Sequence, residues 1–147
     1  MDQRELIGKL AEALDDANAG ILSTLDENGI VHLRWLTPVL MRGRKGLVYS
    51  LSSLDSKKVE HIRSNPNVTW IIQTRAVDQV ITLYGKVNIL ENPSIKTEVL
   101  ETVGNKLTMF WKINGHLRDF VVMETVIEKA EYYLPMKGLS QTVDFNQ

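Results

Sequence analysis

The spacing of hydrophobic residues changes several times along the chain, and each change marks an element boundary. Leu6, Ile7, Leu10, Ala13, Leu14 and Ala17 recur three and four positions apart, which places them on one stripe of a helix. Asp2 is positioned to cap that helix and Asn18-Ala19-Gly20 to end it. From Gly20 to Leu25 the chain is short, apolar and strand-like. Asp26-Glu27-Asn28-Gly29 then reads as a hairpin turn, because Asn and Gly accept positive φ. The run Ile30 to Met41 alternates: Val31, Leu33 and Trp35 share one face, and His32, Arg34 and Leu36 share the other. Pro38 has no amide to give to a ladder and marks an edge or the end of regular pairing.

Arg42-Gly43-Arg44-Lys45-Gly46 is a second turn, and Leu47 to Leu51 a third strand. Residues 52–65 read as a loop feeding a short helix, with Asp55 as cap, Val59 and Ile62 as its apolar stripe and Asn65-Pro66 as its end. Val68 to Thr74 is β-branched and reads as a strand. Gln79 to Leu90 reads as a longer one, with Gly85 at a bulge or bend. Asn92-Pro93 pairs a cap with a proline at the first helical position, opening a helix that carries Ile95, Val99, Leu100 and Val103. Residues 105–116 are irregular, Phe120 to Leu134 is the last predicted strand, and residues 136–147 read as a polar tail. The order α-β-β-β-α-β-β-α-β favours antiparallel hairpins over βαβ units. It predicts a mainly β single domain over residues 1–147, with six strands in a closed or split barrel and three peripheral helices.

Composition narrows the function classes. In 147 residues, 44% are apolar and 24% charged, which suits one buried core. Seventeen basic against eighteen acidic residues leave a net charge of −1, which speaks against a polybasic nucleic-acid or membrane-surface binder. With no cysteine there is no disulfide, thiolate nucleophile or thiolate-held metal. The expectation is a cytoplasmic protein without a membrane partner: no apolar run reaches the length of a membrane span, and Met1-Asp2-Gln3-Arg4-Glu5 does not open a signal peptide.

Most motifs that carry chemistry are absent: no GxGxxG, Walker loop, GxSxG elbow or HExxH. His32, His61 and His116 are far apart in sequence and read as surface or packing residues, so no metal site is nominated and no catalytic residue is assigned. Two segments stand out. Arg34-Trp35-Leu36-Thr37-Pro38 places a cation and a hydroxyl beside backbone freed from pairing. Ser52-Ser53-Leu54-Asp55-Ser56-Lys57-Lys58-Val59 is a hydroxyl-rich loop entering a helix, whose N-terminus offers free amides and partial positive charge. Together they can hold a phosphate; singly they read as capping residues and a solvated strand arginine.

Gly46-Leu47-Val48-Tyr49, followed by Ser56-Lys57-Lys58-Val59-Glu60-His61-Ile62-Arg63-Ser64-Asn65-Pro66-Asn67-Val68, resembles the FMN-binding split barrels related to pyridoxamine 5′-phosphate oxidase, and within them the general stress protein 26-like branch. The resemblance implies a six-stranded antiparallel split β-barrel that binds FMN. It implies that Arg34 and Lys57 hold the FMN phosphate, with Ser56 at the helix N-terminus and Ser50 or Ser52 on the phosphate or ribityl chain. Trp35, Leu36 and Thr37 would lie along the isoalloxazine edge, and Gln79 and Trp111 would face the flavin across a homodimer whose interface holds the sites. The family's oxidases carry a C-terminal Arg-Leu-x-Pro-type motif. Here the chain reads Tyr132-Tyr133-Leu134-Pro135, and Ser50, Leu51 and Ser52 replace the oxidases' Tyr-Thr pair. The expectation is therefore an FMN-dependent oxidoreductase of unknown substrate, cycling with a reduced nicotinamide and stress-related, rather than a true pyridoxamine-phosphate oxidase. The alternatives are a flavin-binding sensor or reservoir without turnover, and a cofactor-free barrel that binds a protein partner. Related barrels take a deazaflavin or haem in place of FMN.

Overall fold

The computed structural model describes residues 1–104 and 120–146. Among the described residues, three helices and seven strands follow the order α1 (Gln3–Ala17), β1 (Gly20–Leu25), β2 (Val31–Leu36), β3 (Leu47–Ser53), α2 (Lys57–Ser64), β4 (Asn67–Gln73), β5 (Val80–Leu90), α3 (Pro93–Val103), β6 (Phe120–Leu134) and β7 (Leu139–Asp144). The strands form one antiparallel sheet in the order β2-β1-β4-β5-β6-β3, with β7 added along β6. No described helix is long and apolar enough to cross a membrane.

The sheet curls around large inward residues. Leu22, Trp70, Ile72, Ile81, Leu83 and Met123 are fully buried inside, and α1 closes over them with Leu6, Leu10 and Ala13. Asp2 caps α1 by accepting the Glu5 amide at 2.8 Å, and Asn18 ends it in the left-handed conformation, both as the sequence predicts. A second, smaller core lies on the other face of β3 and β6, where α3 lays Ile95, Val99 and Val103 on Tyr49, Leu51 and Val122. The edges β2 and β3 do not form a ladder. The segment after Pro38 joins them through one bridge, in which Val39 and Tyr49 exchange amide–carbonyl hydrogen bonds of 2.8 and 2.9 Å. That is the split of a split barrel.

The long β5–β6 pairing is bent at Gly85. The register steps from Tyr84↔Lys129 to Gly85↔Ile127, so Glu128 has no partner on β5. Its carbonyl accepts the Phe145 amide at 2.9 Å instead. Glycine is required there, because a Cβ would stand 2.2 Å from the Val126 carbonyl oxygen.

Four expectations are corrected. Seven strands are present where six are predicted, because part of the segment read as a polar tail is β7. That strand is exposed at every position but Val143 and Phe145 follows it partly buried, so the tail lacks the alternation that marks a half-buried strand. Second, β2 ends at Leu36 instead of running to Met41, since Pro38 breaks the ladder. Third, β5 opens at Val80, with Gln79 in the preceding turn. Fourth, the cap of α2 is Ser56 and not Asp55, whose carboxylate is taken by the Ser53 hydroxyl.

Replacing Gly85 by Ala is expected to destabilise the fold by about 3 kcal/mol, since the added methyl meets backbone that cannot give way. A urea unfolding midpoint equal to wild type would show that the bulge is not under this constraint.

Candidate functional site

β2 is an edge strand with two unlike faces. Its alternation turns His32, Arg34 and Leu36 toward α2 and the core, and leaves Val31, Leu33 and Trp35 on the outside at 57, 68 and 67% exposure. Arg34 is half-buried. Its guanidinium Nη1 donates to the Leu22 carbonyl on β1 at 3.2 Å. Across from it stands Lys58, also half-buried, on the first turn of α2. Burial pushes the Arg34 guanidinium below its usual pKa. Burial, then the neighbouring Arg34 charge, does the same to Lys58. Neither has a carboxylate partner among the described residues; the ion pairs of the chain lie elsewhere, as at Arg44–Glu98 and Arg75–Asp16. Two desolvated like charges without a counter-ion are costly, and an anion between them would relieve both.

The start of α2 adds to this positive field. Ser56 holds the N-cap position, but its side chain makes no capping bond. Its Oγ lies 2.9 Å from Ser52 Oγ, which also donates to the Ser53 carbonyl at 3.0 Å. The first amides of α2 are therefore uncapped by this side chain, and such amides accept anions. Two residues before Ser52, on the same face of β3, Ser50 is 1% exposed and its Oγ has no hydrogen-bond partner among the described residues. A buried hydroxyl without a partner is unusual and fits a ligand oxygen.

The remaining predicted residues are distributed around this cluster. Lys57, predicted as the phosphate lysine, is exposed, and it is Lys58 that faces Arg34. Leu36 is half-buried against the core. Trp35 lines a shallow cleft on the outer face with Ala17, Ala19, Ile21 and Ile71. Thr37 lines a different one, between α1 and the segment after β2. Gln79 sits in the β4–β5 turn, where its Oε1 accepts the Tyr132 hydroxyl at 2.8 Å. It does not join the Arg34 cluster within one chain. Trp111 and His116 lie outside the described residues. Among the described residues no group of three or more His, Cys, Asp or Glu side chains could hold a metal.

Helix phase separates the two lysines. At about 100° per residue, the buried Val59–Ile62 stripe puts Lys58 on its flank and Lys57 on the far side. His61 and Thr24 also meet beside β2. The Thr24 Oγ1 is 2.9 Å from His61 Nδ1, and the His61 and His32 rings stack at 4.7 Å between centroids. No sequence signal joins positions 24, 32 and 61; the pairing of β1 with β2 and the seat of α2 do.

The family model described as pyridoxamine 5′-phosphate oxidase matches residues 6–134. The chain belongs to the pyridoxamine 5′-phosphate oxidase family. Solved structures carry the same fold. A protein related to general stress protein 26, of the pyridoxinephosphate oxidase family, from Clostridium acetobutylicum superposes with a TM-score of 0.77 at 15% identity, covering 99% of this chain and 98% of that one. A pyridoxamine 5′-phosphate oxidase-related, FMN binding protein from Nostoc punctiforme gives 0.73 at 11% identity, covering 95% and 96%. A heme binding protein from Mycobacterium smegmatis gives 0.70 at 17%, covering 91% of this chain and 57% of that chain. No curated protein matches the chain significantly. The match ends at Leu134, next to Tyr132-Tyr133-Leu134-Pro135. Tyr132 is buried and bonded to Gln79, and Tyr133 is 41% exposed.

Because folding lowers the Lys58 pKa, the protein gains stability as pH rises toward the ordinary lysine value of 10.5. Lys58→Met keeps the stem and removes the charge. It is expected to raise the neutral-pH stability of the ligand-free protein by about 0.5–1 kcal/mol, allowing for solvent screening, with the gain shrinking as pH approaches 10.5. A loss of stability on this substitution would mean that Lys58 has a partner holding it.

Proposed function

We propose that this chain is an FMN-binding flavoprotein whose phosphate cradle is Arg34, Lys58, the Ser52 and Ser56 hydroxyls and the open amides at the start of α2. The observation that carries the reading is the Arg34–Lys58 pair, two half-buried cations with no carboxylate partner among the described residues. A phosphate monoester carries nearly two negative charges, which two cations and a helix N-terminus match. Ser50, whose buried hydroxyl has no partner among the described residues, is assigned to the ribityl chain or the phosphate. Family membership and the FMN binding relative from Nostoc punctiforme support the same assignment.

The ring needs a flat apolar wall that one chain does not enclose. On the outer face, Trp35 and Leu33 of β2 continue through Ile21 of β1 to Ile71 of β4 across paired registers. We assign a second copy of the chain to this face, since an apolar patch on an edge strand normally marks an interface. Gln79 is then assigned to the neighbouring copy's site, and Trp35, Leu36 and Thr37 to the ring's edge.

Bound FMN would supply hydride or single-electron transfer. The chain's residues bind the phosphate, fix the ring's position and exclude water from its face. The favoured activity is an oxidoreductase of unknown substrate reduced by a nicotinamide, with a stress-related role as in the relatives named for general stress protein 26. Pyridoxamine phosphate is a poor candidate. Its own phosphate requires further cations, and none stands at Tyr132 or Tyr133 where the family's oxidases place an arginine.

Titration of the apoprotein should quench FMN fluorescence. Arg34→Ala and Lys58→Ala should each weaken FMN by about 1.5–3 kcal/mol, the worth of a charge-assisted hydrogen bond, while Lys57→Ala changes it less and riboflavin is indifferent to all three. Equal losses for riboflavin would overturn the phosphate assignment. Purified protein with a Soret band and no flavin bands would overturn FMN itself. Light scattering should report a dimer of the 16.7 kDa chain, and Trp35→Glu a monomer. A wild-type monomer at micromolar concentration would overturn the dimer.

A further inference from the structure

The inner face of β2 and one side of α2 meet in two rungs. Arg34 and Lys58 make the first, close enough for the Arg34 charge to act on Lys58. His32 faces His61 in the second, with ring centroids 4.7 Å apart and planes tilted by 41°. The rungs are adjacent, since His32 and Arg34 are two apart on a strand and Lys58 and His61 three apart on a helix, and both spacings keep one face. The second rung is tied at both ends. Asp26 Oδ2 is 2.8 Å from His32 Nε2, and the same carboxylate accepts the Asn28 and Ile30 amides through Oδ1 at 2.8 and 3.0 Å. Thr24 Oγ1 holds His61 Nδ1 at 2.9 Å. Thr24 from β1 and Asp26 from the turn touch the pair; Arg34 follows two residues on along β2 and Lys58 lies three residues back on α2, and Glu60 on α2 is exposed. Asp26 is the acid that touches the pair. Its own pKa is lowered, first by the His32 hydrogen bond.

We infer that the stacked His32–His61 pair is the proton-dependent half of the anion site, so that protonation of the pair and capture of a phosphate or sulfate group are coupled. Imidazole changes its charge between pH 5 and 8. A proton on either ring adds positive charge beside Arg34 and Lys58, and an anion seated there is drawn to that charge, so proton and anion uptake are coupled. Asp26 meets the pair on the His32 side. By reciprocity the anion is held more tightly in acid by the factor by which it eases protonation. The site takes an anion with loose grip at alkaline pH and a firmer one below neutrality. This rests on the anion-site part of the function proposed above and not on the flavin ring.

Sulfate is the probe, because it stays a dianion across this range whereas a phosphate ester titrates near pH 6. The imidazole Cε1–H resonances of the full-length protein, followed by NMR from pH 5 to 8 with and without saturating sulfate, report the coupling. The titration midpoint of His32 or His61 should rise by about 0.5–1 unit with sulfate, matched by sulfate binding about three- to tenfold tighter in acid. His61→Gln should keep the alkaline sulfate affinity and lose the acid gain. His32→Gln, at a side chain 43% exposed, serves the same purpose where His61→Gln fails to fold. Arg34→Met or Lys58→Met should abolish the midpoint shift. Sulfate that binds through Arg34 and Lys58 while leaving both titrations in place would overturn this inference and leave the phosphate cradle standing. No sulfate binding at any pH would overturn both.

Discussion

β6 is the strand on which the rest of the molecule depends. It pairs with β5, β3 and β7, and its bulge at Glu128, opposite Gly85 of β5, turns a flat ladder into a curled one. The Gly85 position has no space for a side chain, so the curl is set by backbone contact and not by the fill of the core. The buried Trp70 anchors the inside against β6 by donating its indole N–H to Thr125 Oγ1 at 3.0 Å. With β6 bent, the far edges β2 and β3 come close enough for the single Val39–Tyr49 bridge. α2 follows β3, packs against β1 and β5, and brings His61 onto His32 of β2.

The same geometry explains why the two cations have no carboxylate partner among the described residues. Acids are not scarce, with eighteen in the chain, and several already pair with arginines on the surface. Two on the segments that lead into β2 and α2 are turned to other work. Asp26 organises the hairpin turn and meets His32, and Asp55 accepts the Ser53 hydroxyl. A neutral surface as a whole therefore coexists with a local positive field, which net charge could not reveal.

Much of the fold was legible because local signals agreed. The three helices, the Asp26–Gly29 turn, the break at Pro38 and the bulge at Gly85 each rest on a residue with one strong conformational preference. β7 was hidden because an exposed edge strand has no buried face to alternate, leaving Ser140, Gln141 and Thr142 indistinguishable from tail. In the candidate site, Arg34 and the Ser52–Ser56 loop were visible as an anion-binding pattern. The choice between Lys57 and Lys58 depended on helix phase, and the histidine pair on a contact between elements 29 residues apart in sequence, at His32 and His61. Contacts of that kind come from the assembled sheet.

β2 has one neighbouring strand and six residues, yet both of its faces carry groups that call for a ligand or a partner. A strand this short moves as a unit. Whatever settles against Trp35 and Leu33 shifts the same backbone that aims His32 and Arg34, and the converse holds equally. In the proposed dimer, occupancy of the two faces would be thermodynamically linked, with the hairpin as the lever: chain concentration would tune the grip on an anion, and the anion would tune self-association.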